Sequence, residues 1–274
     1  MKKYIEANKK RWDELSEVHY KGKGYNVKEF IKGGISIGDI ERHEVGDVKG
    51  KKLLHLQCHF GKDTLSWARL GAIVTGVDFS SRAIELANQL KRETGLNAAF
   101  IQSEISKLEQ SKLLPSSFDI VFTSHGAIYW LPDLQKWADL IFRYLKPGGF
   151  FYIADFHPMG SMFDDEHESD LVIRYPYFHS ETPLDLDVEG SYAEPNAEIK
   201  YKKEYGWVHN LGYIINCLIK AGLHIDFVNE YPFVSWQMFP FLVEKEGGWW
   251  HLPDKFEKIP LMFTLKATKL LQSF

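Results

Sequence analysis

Cysteine is nearly absent: Cys58 and Cys217 are the only two in 274 residues. That excludes a disulfide framework and points to a reducing compartment, so a cytoplasmic location is expected. No apolar run approaches the ~18 residues of a membrane span. Met1-Lys2-Lys3 is not followed by the apolar stretch of a secretory leader. Basic charge is not in excess either. Lys and Arg number 33 against 37 Asp and Glu, a formal net charge of -4, which disfavours a nucleic-acid partner. What is plentiful is aromatic side chain, 15% of the chain with 8 Trp. The length suits one large domain carrying insertions.

The organising stretch is Lys51 to Ser81. Leu53, Leu54 and Leu56 make a short apolar run, as a buried strand does. Gln57-Cys58-His59-Phe60-Gly61 breaks it, and helical spacing follows in Leu65, Trp67 and Ala68. Gly71 stops that helix, and Ala72 to Val77 is β-rich again. Asp78 ends the second strand, 17 residues after Gly61. In βαβ folds an acid at that place hydrogen-bonds ribose hydroxyls. The turn lacks the G-x-G-x-x-G that lets backbone approach a pyrophosphate; only Gly61 remains. A ribose ligand without a pyrophosphate fits better than NAD or FAD, and S-adenosylmethionine (SAM) is the obvious one. The competing reading leaves Asp78 as a helix cap.

Around this unit the chain alternates β and α. An amphipathic helix over 3–18 carries Ile5, Asn8, Trp12 and Leu15 on one face. A Gly-rich stretch from 20 to 38 includes a short helix near 28–31. Residues 1–50 are thus a helical arm, read either as packing or as a flap over the cofactor, ahead of a domain over 51–274. In that domain a helix is expected from Ala83 to Lys91, strands at Ala98–Gln102, Phe118–Thr123 and Phe150–Ala154, and a helix on the Leu134, Trp137, Ala138, Ile141, Leu145 stripe. Lys146-Pro147-Gly148-Gly149 terminates that stripe. Two insertions, at about 159–206 and 231–259, interrupt the pattern. Between and after them fall a helix over Trp207–Lys220, a strand over Leu223–Asn229 and a closing strand over Leu261–Thr268.

On these residues the sequence resembles a class I SAM-dependent methyltransferase. The motifs are Leu54-His55-Leu56-Gln57-Cys58-His59-Phe60-Gly61, Asp78 in VTGVDFS, the Ser103-Glu104 pair, and FDIVFTSHGAIYWLPD followed by LKPGGFFYIADFHP. The turn departs from the family: His55 stands for an acid, and Gln57 and His59 for glycines. A similar His-Leu-Gln-Cys-His turn occurs in a subgroup of bacterial methyltransferases. The resemblance implies an α/β, Rossmann-like sheet of seven strands, mostly parallel with the last antiparallel, and helices on both faces. It also implies methyl transfer from SAM to a small molecule, leaving S-adenosylhomocysteine.

Roles follow from that implied site. Asp78 is expected at the ribose, Phe79 at the adenine face, and Ser103, Glu104 and Ile105 at the adenine edge. Gln57, Cys58, His59 and Gly61 are expected along the methionine portion, with Ser80 beside the strand-end acid. Ser124 and His125 are expected below the sulfonium. His125, His157 and His209 are the candidates for a general base, each competing with a structural, hydrogen-bonded histidine. Tyr129, Trp130, His157, Trp207 and Trp236 are candidates to line the acceptor pocket, against a satellite apolar cluster. No metal site is expected, because strand alternation points His55 and Cys58 to different faces. The rival functions are a non-catalytic SAM-binding protein and, further off, a nucleotide-dependent oxidoreductase.

Overall fold

The computed structural model describes residues 1–271. Its strands are β1 (Lys52–Leu56), β2 (Ile73–Asp78), β3 (Ala98–Gln102), β4 (Phe118–Ser124), β5 (Leu145–Phe156), β6 (Leu184–Asp187), β7 (Lys203–Gly206), β8 (His224–Tyr231), β9 (Phe233–Val234), β10 (Val243–Lys245), β11 (Trp249–His251) and β12 (Met262–Thr268). Its helices are α1 (Lys2–Lys21), α2 (Val27–Ile31), α3 (Asp39–Val45), α4 (Lys62–Arg69), α5 (Ser81–Thr94), α6 (Leu134–Tyr144) and α7 (Leu211–Lys220).

Seven strands form one sheet in the order β3-β2-β1-β4-β5-β12-β8. β1 to β5 pair in parallel, and β12 runs antiparallel to both β5 and β8. This is the expected Rossmann-like architecture. Its core is two-sided, because neighbouring residues of a strand face opposite ways. Leu54, Leu56 and Val121 pack under Trp137 and Ile141 of α6 and Leu218 of α7. Leu53, Ile120 and Phe122 pack on the other face with Leu65 and Trp67 of α4 and Leu90 of α5.

Two boundaries moved furthest, for local reasons. β5 begins at Leu145, not Phe150, because Leu145 still pairs with Phe118 before the register shifts to Ile120↔Phe150. Lys146-Pro147-Gly148-Gly149 bulges out between these pairs. Lys146 holds the bulge to Asp119 at 2.6 Å, and a Cβ on Gly149 would meet the Asp119 carbonyl at 2.9 Å. α7 begins at Leu211, so Trp207 and His209 precede the helix; Asn210, in an extended conformation, holds the N-cap position without a side-chain capping bond. The short helix α3 was not foreseen.

The chain from 159 to 206 contributes the antiparallel pair β6–β7. The chain from 231 to 259 forms a small antiparallel sheet, β10-β11-β9, over its own apolar cluster of Val234, Met238, Phe239, Leu242 and Leu252. Trp250 packs against that cluster. No described helix is long and apolar enough to cross a membrane.

Candidate active site

The turn between β1 and α4 reaches its shape without the usual glycines. Gln57 and His59 both adopt left-handed backbone, at φ 57° and 51°, a region that non-glycine residues enter at a cost. Three contacts hold it: Cys58 N donates to the Val77 carbonyl (2.9 Å), Gly61 N to the Cys58 carbonyl (2.9 Å), and His59 N to Asp78 Oδ2 (2.8 Å). Gly61 is required as well. Its φ is 76°, and a Cβ there would meet the Phe100 ring at 2.6 Å.

Asp78, at the carboxyl end of β2, is 7% exposed. Burial pushes its carboxyl up to about 6, against the backbone N–H bonds from Ser80 and His59 that pull it down. It opens onto a cleft of about 70 Å³ that communicates with solvent. The cleft brings together six of the residues expected at the cofactor, Gln57, Asp78, Phe79, Ser103, Glu104 and Ile105, with Trp130, which was expected at the acceptor pocket. It also takes in residues the sequence reading missed. Ile5 and Asn8 come from α1, and Pro132, Asp133 and Lys136 from the start of α6. Asn8 lay on the right helical face, but nothing local marked what that face covers.

The remaining candidates are placed elsewhere. Cys58 turns under the loop, where its Sγ lies 2.8 Å from where a Gly76 Cβ would be, too close to admit one, and burial raises its thiol. Ser80 caps α5, accepting from Ala83 N at 3.0 Å, and donates to Asp13 at 2.7 Å. Ser124 Oγ lies 3.2 Å from both His55 Nε2 and Asp63 Oδ2, and His55 Nδ1 lies 2.8 Å from Thr64. This buried chain of hydroxyls and imidazole ties β1, β4 and α4 together. Trp207 is buried, donating to the Glu181 carbonyl at 3.2 Å. Tyr129 lies so close over Gly206 that any Cβ there would overlap its ring.

The three histidines separate sharply. His209 is 4% exposed. Its Nε2 reaches the Leu131 carbonyl at 2.9 Å, its ring stacks with His179 and Tyr213, and burial lowers it to about 4. His157 Nδ1 accepts the Met159 N–H at 3.1 Å, and its Nε2 stands 2.9 Å from Glu230. Burial lowers it too, against the pull of Glu230. The His209 ring is engaged at both nitrogens; His157 Nε2, though close to Glu230, makes no hydrogen bond. His125 differs. Its Nε2 donates to Glu41 Oε1 of α3 at 3.0 Å, while its Nδ1 is buried without a partner. Burial opposes the charge on His125 most strongly, but the Glu41 bond together with the charges of Glu41, Asp155 and Asp63 outweighs it and raises the imidazole; Glu41 is lowered despite its burial. Phe156 lies beside His125, Trp236 beside Phe156, and Tyr192 beside Trp236, at 6.1, 5.5 and 5.7 Å between ring centroids.

A family model described as a methyltransferase domain matches residues 47–209. The chain belongs to that family, the class I SAM-dependent methyltransferases. Among curated proteins it is similar to a ubiquinone biosynthesis O-methyltransferase of Photorhabdus laumondii, 30% identical over 109 residues, 40% of this chain and 44% of that one. It is also similar to the methyltransferase phqN of Penicillium fellutanum, 32% identical over 116 residues, 41% and 34% of the two chains. The chain thus spans less than half the length of these curated relatives. A solved SAM-dependent methyltransferase from Mesorhizobium loti shares the fold at TM-score 0.59 and 19% identity, over 87% of this chain and 99% of that one.

Proposed function

We propose that this chain transfers a methyl group from SAM to a small-molecule acceptor, in the cleft beside Asp78. The observation that carries the reading is the buried carboxylate of Asp78, facing a cleft with Phe79, Ser103 and Ile105 along the same wall. The donor set suits a nucleoside. A carboxylate accepts two hydroxyl donors, and flat apolar side chains flank a base. Gln57 Oε1 is buried without a partner, while its Nε2 is fixed to the Ala127 carbonyl at 2.6 Å, so an acceptor atom is held ready at the turn. The left-handed positions of the turn carry Gln57 and His59 side chains, which block the close backbone approach of a pyrophosphate.

When bound, SAM supplies an electrophilic methyl carbon and a sulfide leaving group. The protein's part is to orient, exclude water and take a proton. Asp78 accepts from the ribose hydroxyls, and Phe79 and Ile105 flank the adenine. Residues 1–50 form the cofactor-side flap through Ile5 and Asn8. Trp236, with Tyr192 and Phe156, roofs the acceptor side. His125 is the proton acceptor of the three histidines. With its Nε2–H committed to Glu41, its Nδ1 lone pair is the basic position, and the Glu41 carboxylate stabilises the charge that forms there.

Calorimetric titration of Asp78→Asn with S-adenosylhomocysteine tests the cofactor assignment. Loss of a charge-assisted acceptor predicts affinity lower by at least about tenfold. Unchanged affinity in a folded variant would remove the assignment.

A further inference from the structure

The short helix α3, set between Gly38 and Gly46, carries two carboxylates with different partners. Glu41 and Glu44 are three residues apart, so they share a face of the helix. Glu41 Oε1 accepts from His125 Nε2. Glu44 accepts three donors from two strands of the sheet. Tyr152 Oη of β5 lies at 2.7 Å, and Asn229 Nδ2 and Tyr231 Oη of β8 at 2.7 and 2.8 Å. Seven residues are too few for a helix to hold itself. Val45, with Ile37 and Val48 beside it, buries α3 in the apolar layer on that face of the sheet, which fixes its depth. Rotation and register need directional bonds, and Glu44 supplies three of them.

Gly38 bears on the same pair. Its backbone is ordinary for any residue, at φ -74° and ψ 173°, so conformation does not call for glycine there. Space does. A Cβ on Gly38 would stand 2.6 Å from Glu41 Oε2, the oxygen that is buried without a partner among the described residues.

The backbone at His125 is held independently of α3. On one side, Ser124 Oγ lies 3.2 Å from His55 Nε2 and from Asp63 Oδ2. On the other, Gly126 N and Ile128 N donate to Asp155. What α3 sets is therefore the imidazole ring: how it turns, and how close a carboxylate stands to Nε2. Glu41 of α3, Asp155 of β5 and Asp63 of α4 are the charges that bear on that ring, and Glu41 is the one that hydrogen-bonds it.

We propose that Glu44 and Gly38 are positioning residues for the proton acceptor. Glu44 fastens α3 to β5 and β8 in the register that presents Glu41 to His125, and Gly38 leaves the space in which the Glu41 carboxylate stands. This rests on the role given to His125 above.

The test follows the His125 imidazole by NMR titration of the free protein. Glu44→Gln weakens the fastening but also removes a charge. The Tyr152→Phe/Tyr231→Phe double variant removes two of the three donors and no charge. Gly38→Ala keeps Glu44 and its donors and crowds Glu41. In all three, His125 is expected to titrate at lower pH than in the unaltered protein, toward its position in Glu41→Gln, because a carboxylate drawn away from Nε2 stabilises the imidazolium less. A merely structural brace would lower the unfolding temperature and leave the titration where it was; that result overturns the proposal. So does a shift in Glu44→Gln without one in the double variant, since charge and not position would then be acting. If the variants at the fastening do not fold, Gly38→Ala decides alone, and an unmoved titration there overturns the proposal. The titration needs no cofactor. Absence of S-adenosylhomocysteine binding by the unaltered protein is a separate result, which overturns the cofactor reading and with it the part of these residues in the reaction.

Discussion

The two insertions are attached to the sheet by opposite means. The chain over 184–206 has little apolar core and is fastened to α1 by polar groups. Arg11, 2% exposed, binds Glu204 at 3.2 Å and the Val188 and Tyr201 carbonyls at 3.1 Å. Asn8 exchanges two hydrogen bonds with the Tyr205 backbone, at 2.7 and 2.9 Å. Glu14 accepts from the Lys200 and Tyr201 N–H groups. The chain over 231–259 instead folds on Val234, Met238, Phe239, Leu242 and Leu252. The first arrangement makes the arm and its insertion one unit bordering the cleft. The second is a satellite core whose tie to the chemistry runs through Trp236. Directional bonds transmit position; a local apolar cluster mainly supplies stability.

That contrast is breakable. Arg11→Ala should have the largest effect. It strips a buried guanidinium from Glu204 and leaves the carboxylate unpaired, a destabilisation of about 3–5 kcal/mol. Thermal unfolding reads that loss, and S-adenosylhomocysteine affinity should fall as well, since α1 forms one wall of the cleft. Phe239→Ala should cost about 3–5 kcal/mol in the same unfolding assay, yet leave cofactor affinity of the folded protein within about twofold, the scale of a change too small to shift free energy by much. If Phe239→Ala weakened cofactor binding as much as Arg11→Ala, the two attachments would not differ as argued.

The pH dependence sharpens the cleft side. Burial holds Asp78 at about 6, above its usual 3.8. The ionised form is therefore disfavoured in the free fold, a cost present above pH 6 and relieved as pH falls toward the unfolded value. Ribose hydroxyls donate to the ionised form. S-adenosylhomocysteine affinity should be level above pH 6 and fall by up to about tenfold per unit below it; a flat profile down to pH 5 contradicts the role given to Asp78.

The smallest effect concerns His125 and Glu41. Glu41 is lowered, so its share of the pair's stability is present above its unfolded value and lost as pH falls through the folded one. His125 is raised, so its share is present below its unfolded value and lost as pH rises through the folded one. Glu41→Gln should lower the His125 imidazole in an NMR titration, and no change would dissociate the pair.

What the sequence made legible was local. The β1–α4–β2 unit, Asp78, and the strand alternation are written in spacings of two to four residues. Glu41 was missed because its partner His125 is 84 residues away, and nothing in Asp39–Val45 marks an acid that will be buried. Trp12 and Asn8 were placed on one helical face, but what that face meets depends on Tyr205 and His59, far along the chain. The turn was the subtlest case. Left-handed backbone at Gln57 and His59 replaces the glycines that would have announced it. Ser80, Cys58 and Ser124 were read as ligand contacts from their place beside the strand-end acid and the turn. Their polar atoms are used in capping, in packing and in the His55 network.

The most direct measurement is calorimetric titration of the protein, first shown free of co-purified ligand, with S-adenosylhomocysteine and with NADH. The account predicts micromolar binding of the first and none of the second. Binding of NADH alone, or no binding of S-adenosylhomocysteine, would contradict it.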